Sequence, residues 1–278
     1  MVFNKNRLGL EVRGYLVDFP TSIIGQNNVW LKNNYGIEYF LNSDGLRSDE
    51  FKKDHDGEHI IFAGCSNTFG KGTEYKDTWA YQVYEEISKT KKTSGYYNLG
   101  LNAGTIIEII FQIFAYISKY GKPDTIFLFL PEVERDDEFF IFPNKHTDPM
   151  VFRIYDMLDK FCKVSNTKLI ASTWIVNYPS MWDSLKQNKA VHGNFPEKLE
   201  RSEVRNEETM FDPFTKNFTS FKMLDNKKFI QDVFEYSLEH KDDPNLYVAK
   251  DTGRHFGSSI HYAWKKQFLE RYFDEKNN

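Results

Sequence analysis

Short runs of β-branched and aromatic residues alternate with longer segments of helical period along most of this chain. That alternation is the mark of a parallel sheet with helices on both faces, because a crossover between parallel strands needs about a dozen residues or more and a helix usually spans it. Strands are expected over 59–63, 96–99, 125–130, 168–173 and 245–249, and helices over 77–89, 105–120, 149–165, 225–240 and 258–273. In the second helix Ile106, Ile109, Ile110, Ile113, Phe114 and Ile117 form one wide apolar stripe suited to a sheet. The expected fold class is α/β, a flavodoxin-like three-layer α/β/α sandwich with a five-stranded parallel sheet.

Two segments stand outside the alternation. Residues 1–57 are polar and turn-rich, with Asn33-Asn34, Tyr35-Gly36 and Asn42-Ser43-Asp44-Gly45 as breakers, and are expected to pack on the core as an N-terminal extension. Residues 180–221 are charged, yet they end in Phe211, Phe214, Phe218 and Phe221. A connection this long is either a lid over a site or a solvated insertion anchored by its rings. The expected division is therefore 1–57 as the extension and 58–278 as one α/β domain carrying an insertion at about 180–221.

The 278 residues suffice for one large domain, or two at about 100 to 200 residues each. Aromatic residues at 17% and charged residues at 27% exclude disordered, collagenous and membrane-spanning classes. With 36 Lys and Arg against 40 Asp and Glu, the net charge of -4 supplies no basic field for phosphates, so nucleic acid is not an expected partner. Cys65 and Cys162 are too few for a disulfide framework and lack the spacing of zinc ligands. No apolar block of signal-peptide type opens the chain, and no run of about 20 apolar residues occurs. The expectation is a cytoplasmic protein, or one packaged from there into a virion, without a membrane partner.

In a doubly wound sheet the working loops follow the carboxyl ends of the strands. After the first strand comes Gly64-Cys65-Ser66-Asn67-Thr68-Phe69-Gly70-Lys71-Gly72-Thr73, a sharp turn of small residues around one hydroxyl. Such a turn can lift Ser66 Oγ while aiming backbone N–H groups at a developing oxyanion. Three other readings share the segment. A phosphate-binding loop requires four residues between its glycines, whereas five separate Gly64 from Gly70, and Gly72 stands where the magnesium-binding hydroxyl belongs. A Cys65 nucleophile requires a depressed thiol pKa. A glycine turn without chemistry requires nothing more.

A serine needs a base, and past the last expected strand Asp251 and His255 share one short loop, close enough for the carboxylate to orient the imidazole toward Ser66. His261, inside the helix that follows, reads as a packing or capping residue. Asp54-His55-Asp56-Gly57-Glu58-His59 carries residues of metal-ligand type, and a polar turn into the first strand explains it as well. No metal or cofactor is expected.

These residues resemble the SGNH or GDSL hydrolases. Gly64 to Gly70 is similar to the family's first block, Gly-Asp-Ser followed by a small or aromatic residue and Gly, with Ser66 at the nucleophile position. Asn42-Ser43-Asp44-Gly45-Leu46-Arg47 resembles the Asn-x-x-Gly-Phe-Arg element that precedes this block in one branch. Asn98-Leu99-Gly100-Leu101-Asn102-Ala103-Gly104 resembles the second block, whose glycine gives an oxyanion amide; that position falls on Ala103 or Gly104. Asp251 to Gly257, with His261, resembles the last block. Cys65 replaces the first block's Asp, and Asp251 and His255 are separated by three residues where the family has two. The third block's Asn, a side-chain oxyanion donor, is missing from Leu130-Pro131-Glu132-Val133-Glu134-Arg135-Asp136. Losing one such donor costs about 100 to 1,000-fold in turnover. Arg135 is either a substitute positive partner or half of an exposed ion pair.

The resemblance implies a serine hydrolase that cleaves an ester, an O-acetyl or short acyl group on a carbohydrate. Ser66 would be nucleophile, His255 base and Asp251 its orienting acid, with oxyanion contacts at Gly100, Ala103, Gly104 and Arg135. The implied partner is an acylated carbohydrate or another small ester. Two further functions stay open: acyl transfer to a sugar hydroxyl by the same triad, and a relative without catalysis that serves as a glycan-binding or structural module.

Overall fold

The computed structural model describes residues 29–33, 35–133, 147–174, 211–243, 245–247, 249–250 and 255–274. Strands β3 (Ile60–Gly64), β4 (Tyr97–Asn98), β5 (Thr125–Leu130) and β6 (Lys168–Thr173) form a parallel sheet in the order β4-β3-β5-β6. The order reverses between β3 and β5, the kind of switch point beside which doubly wound sheets carry their sites. A separate antiparallel hairpin pairs β1 (Val29–Lys32) with β2 (Glu38–Leu41).

β5 is buried at every position because both faces of the sheet are covered, which is why it reads as a continuous apolar run. Alternation along the strands sends Phe62, Phe127 and Phe129 to the layer of α2 (Trp79–Ser88) and α7 (Ser258–Asp274). There Trp79 stacks on Phe268 at 4.5 Å and meets Phe129 edge-on at 5.3 Å. The opposite face, with Ile61, Ala63, Ile126 and Leu128, lies under α3 (Ile106–Tyr120) and α4 (Thr147–Ser165). Thr105 and Glu108 start α3 as a reciprocal capping box, which sets where its apolar stripe begins.

Among the described residues of the expected strand over 245–249, none joins the four. Asp243 captures the chain first: its Oδ1 accepts the Asn245 N–H at 2.8 Å and its carbonyl the Leu246 N–H at 3.2 Å, so a local turn consumes the backbone groups a ladder needs. The outer edge of β6 is instead met by the chain around Phe221, with the Ala171 N–H donating to Ser220 O at 2.9 Å and the Lys222 N–H to Ala171 O at 3.1 Å. Phe211 stacks on Phe221 at 5.5 Å, while Phe214 and Phe218 pack on Tyr155 at 5.2 and 4.7 Å. The aromatic end of the expected insertion is thus core, beside α5 (Asp212–Asn217). Residues 180–210 lie outside the described residues. The remaining helix, α6 (Asn226–Glu239), packs on α7.

Candidate active site

β3 ends on Gly64, where a Cβ would lie 2.6 Å from Phe129 O and collide with the Thr68 side chain. Only glycine lets the chain turn this sharply next to β5. Cys65 follows in extended conformation and opens α1 (Ser66–Phe69), a single turn whose Thr68 and Phe69 N–H groups both donate to Cys65 O at 3.0 Å. Gly70 closes it with φ of 77° and gives its N–H to Ser66 O at 2.9 Å. The first amides of a helix have no partner inside it. Those of Ser66 and Asn67 accordingly have none among the described residues, and neither does Ser66 Oγ. Cys65 is part of the apolar core at 1% exposure. The position expected to carry the nucleophile therefore presents a hydroxyl with uncommitted amides, and its cysteine neighbour is packed away.

Asn98, at the end of β4, clamps this turn. Its Nδ2 donates to Thr68 O at 2.8 Å and to Tyr96 Oη at 2.9 Å, and its Oδ1 accepts the Gly100 N–H at 2.8 Å. A Cβ on Gly100 would come within 2.8 Å of Thr68 C and Phe69 Cα, so the glycine permits backbone to lie against backbone. The Leu101 N–H donates to Gly64 O at 2.8 Å and the Gly104 N–H to Leu101 O at 3.0 Å, which closes a tight turn with Ala103 at φ of 60°. Of the expected oxyanion contacts, Gly100 and Gly104 spend their amides inside the fold. Ala103 does not: its N–H has no partner among the described residues.

The described residues beside His255 meet the loop that follows the Ser66 turn. The Lys250 N–H donates to Gly72 O at 2.7 Å, the Ala249 N–H to His255 O at 3.2 Å, and Thr73 Oγ1 to Phe256 O at 3.4 Å. His255 is half-buried, and no hydrogen bond joins it to Ser66 among the described residues. Asp251 and Arg135 lie outside the described residues.

His261 is a framework residue. Its Nδ1 accepts the Trp79 N–H at 3.1 Å, and its Nε2 faces Thr73 Oγ1 at 3.5 Å. Burial, followed by the nearby His255 and Arg47, pushes its pKa down to about 3, so the ring is neutral and links α7 to the start of α2. The 54–59 tract sits at the other end of the sheet. His59 Nδ1 meets Lys122 O at 3.1 Å and Nε2 meets Tyr116 Oη at 2.7 Å, while His55 Nε2 meets Tyr120 O at 2.9 Å. Burial, then the stacked His55, lowers the His59 pKa to about 4.

No protein-family model matches this chain, and no curated protein matches it. Solved structures do. The chain is similar to the psychrotrophic esterase EstA from Pseudoalteromonas sp., at 13% identity and a TM-score of 0.47 over 79% of this chain and 98% of that one. It is similar to the acetyl xylan esterase AlAXEase, at 14% identity and a TM-score of 0.43 over 75% of this chain and 97% of that one. It is also similar to a member of the lipolytic protein G-D-S-L family from Veillonella parvula, at 16% identity and a TM-score of 0.42 over 77% of this chain and 97% of that one.

Proposed function

We propose that this chain is an SGNH-type serine hydrolase that cleaves an ester, with an O-acetyl or short acyl group on a carbohydrate as its substrate class. One observation carries the reading. Ser66 stands at the switch point with an unpaired hydroxyl and uncommitted amides around it, and Lys250 and Phe256, on either side of His255 in the chain, hydrogen-bond to Gly72 and Thr73 just behind that turn. Glycine turns without chemistry have no need of that combination.

In the reaction Ser66 Oγ attacks the acyl carbonyl while His255 accepts the hydroxyl proton, and the carbonyl π electrons move onto oxygen. The amides of Ser66 and Ala103 receive that oxyanion, and Arg135 is the added positive partner. Collapse of the tetrahedral intermediate expels the sugar oxygen, which takes the proton from His255. Water then gives a proton to the same imidazole and attacks the acyl-enzyme, and a second collapse releases the acid and restores Ser66. Asp251 holds the imidazole in the tautomer this needs. Catalytic hydrogen bonds are often long without substrate and tighten in the complex.

Labelling with a serine-reactive fluorophosphonate tests the reading. Modification at Ser66, abolished in Ser66→Ala and strongly slowed in His255→Ala, is the expected result. An unlabelled wild-type protein overturns the hydrolase and leaves a glycan-binding or structural module. With an acetylated glycan as substrate, free acetate indicates hydrolysis, and acetate appearing on an added sugar indicates transfer.

A further inference from the structure

Arg47 lies in the turn after β2, yet it is 1% exposed. Its Nη1 donates to the carbonyls of Gly70 at 2.6 Å, Thr73 at 3.0 Å and Phe69 at 3.4 Å, and its Nη2 donates to Glu38 O at 3.2 Å. The Tyr39 ring lies 4.4 Å from the guanidinium carbon and the Tyr75 ring 5.7 Å. No carboxylate among the described residues stands within ion-pair distance, so carbonyl dipoles and ring faces meet the charge. Burying a cation this way is costly, the more so because its Nε has no hydrogen-bond partner among the described residues, so its place calls for a purpose beyond packing.

Three of the four carbonyls belong to the end of α1 and the loop behind Ser66. The N–H groups of that loop are committed as well: Phe69 to Cys65 O, Gly70 and Lys71 to Ser66 O, Gly72 to Tyr39 Oη at 2.7 Å, and Thr73 to Gly70 O. The Gly72 carbonyl takes the Lys250 N–H, and the Lys250 carbonyl takes Asn33 Nδ2 at 2.9 Å. The loop is therefore held from the hairpin side by Arg47 and Tyr39, and from the other side by the segment that leads to His255.

We infer that Arg47 is a positioning residue of the candidate active site, a buried guanidinium that fixes the Ser66 turn against the β1–β2 hairpin and so sets where Ser66 stands relative to the His255 loop. The inference rests on the hydrolase reading above. It makes the hairpin part of the catalytic apparatus through the turn it holds.

The test compares fluorophosphonate labelling of Ser66 in wild type, Arg47→Met and Arg47→Lys, at a temperature where circular dichroism and urea melts show each protein folded. Arg47→Met is expected to lower the saturating labelling rate by about 100-fold, as a misplacement of about 1 Å does, with the half-saturating concentration unchanged. Arg47→Lys recovers part of the rate, because an ammonium reaches some of the carbonyls but lacks the fork. A merely structural role lowers stability and leaves the saturating rate of the folded protein alone; that result overturns the inference. If Arg47→Met does not fold, Arg47→Lys and Tyr39→Phe carry the test. The latter removes the acceptor of the Gly72 N–H and is expected to slow labelling about 10-fold, and wild-type rates in both overturn the inference. An unlabelled wild type instead overturns the hydrolase reading, and this inference with it.

Discussion

Acid should destabilise this protein through two buried histidines outside the proposed triad. His261 and His59 are held neutral, with pKa values of about 3 and about 4 against 6.5 for a free side chain. The folded state refuses a proton that the unfolded chain accepts, so their contribution is complete above pH of about 6.5 and is lost as pH falls toward the folded values. At pH 5 the unfolded histidine is about 97% protonated and the folded one hardly at all, which by linkage removes up to about 2 kcal/mol per ring relative to pH 7.5. Together they cost up to about 4 kcal/mol, a large share of a typical domain's stability. Urea unfolding of wild type and His261→Gln at pH 7.5 and 5 measures this. The glutamine carbonyl can still accept the Trp79 N–H but does not titrate. It is expected to lower stability at pH 7.5 and to reduce the loss between the two pH values by about 2 kcal/mol. Carboxylates titrate equally in both proteins and cancel in the difference. If His261→Gln loses as much stability as wild type, the neutral-imidazole argument is wrong.

Gly100→Ala drives a Cβ into the backbone of Thr68 and Phe69, which cannot yield as a side chain would. Chemical denaturation should register a loss of about 1–3 kcal/mol, and labelling at Ser66 should slow because the turn is displaced. Asn98→Ala strips partners from Thr68 O and the buried Gly100 N–H, and should cost about 1–3 kcal/mol in the same assay. Burial, then Asp159, raises the Cys162 thiol to about 12. Iodoacetamide at pH 8 should therefore leave it intact in the native protein and modify it in urea, as mass spectrometry of the labelled peptide would read.

The central strands were the most legible part of the sequence. Those over 125–130 and 168–173 form where expected: the first is an almost continuous apolar run because both faces are buried, and the second keeps an apolar centre of Leu169, Ile170 and Ala171. The stretch around Leu246, Tyr247 and Ala249 has the same look, yet a single aspartate upstream diverts its backbone into a turn, and hydropathy carries no record of that. At the site, small residues after β3 announced the Ser66 turn. Which amides stay uncommitted there was not legible, because Gly100 loses its N–H to a side chain and Gly104 to a turn closed four residues into the loop. Arg47 lies in a polar, turn-rich segment, where sequence marks it only as one position of a motif. Its burial depends on carbonyls more than 20 residues downstream, and composition treats every arginine as a surface residue.

The hydrogen bond from Asn33 to Lys250 joins positions 217 residues apart. During synthesis the hairpin and the Ser66 turn leave the ribosome early, while the segment that locks them is made late. Contacts of such long sequence separation form after the local ones, since the intervening chain must be gathered first. The Ser66 turn therefore waits, unlatched on one side, until residue 250 has been made, and a chain arrested before it would carry Ser66 without that latch.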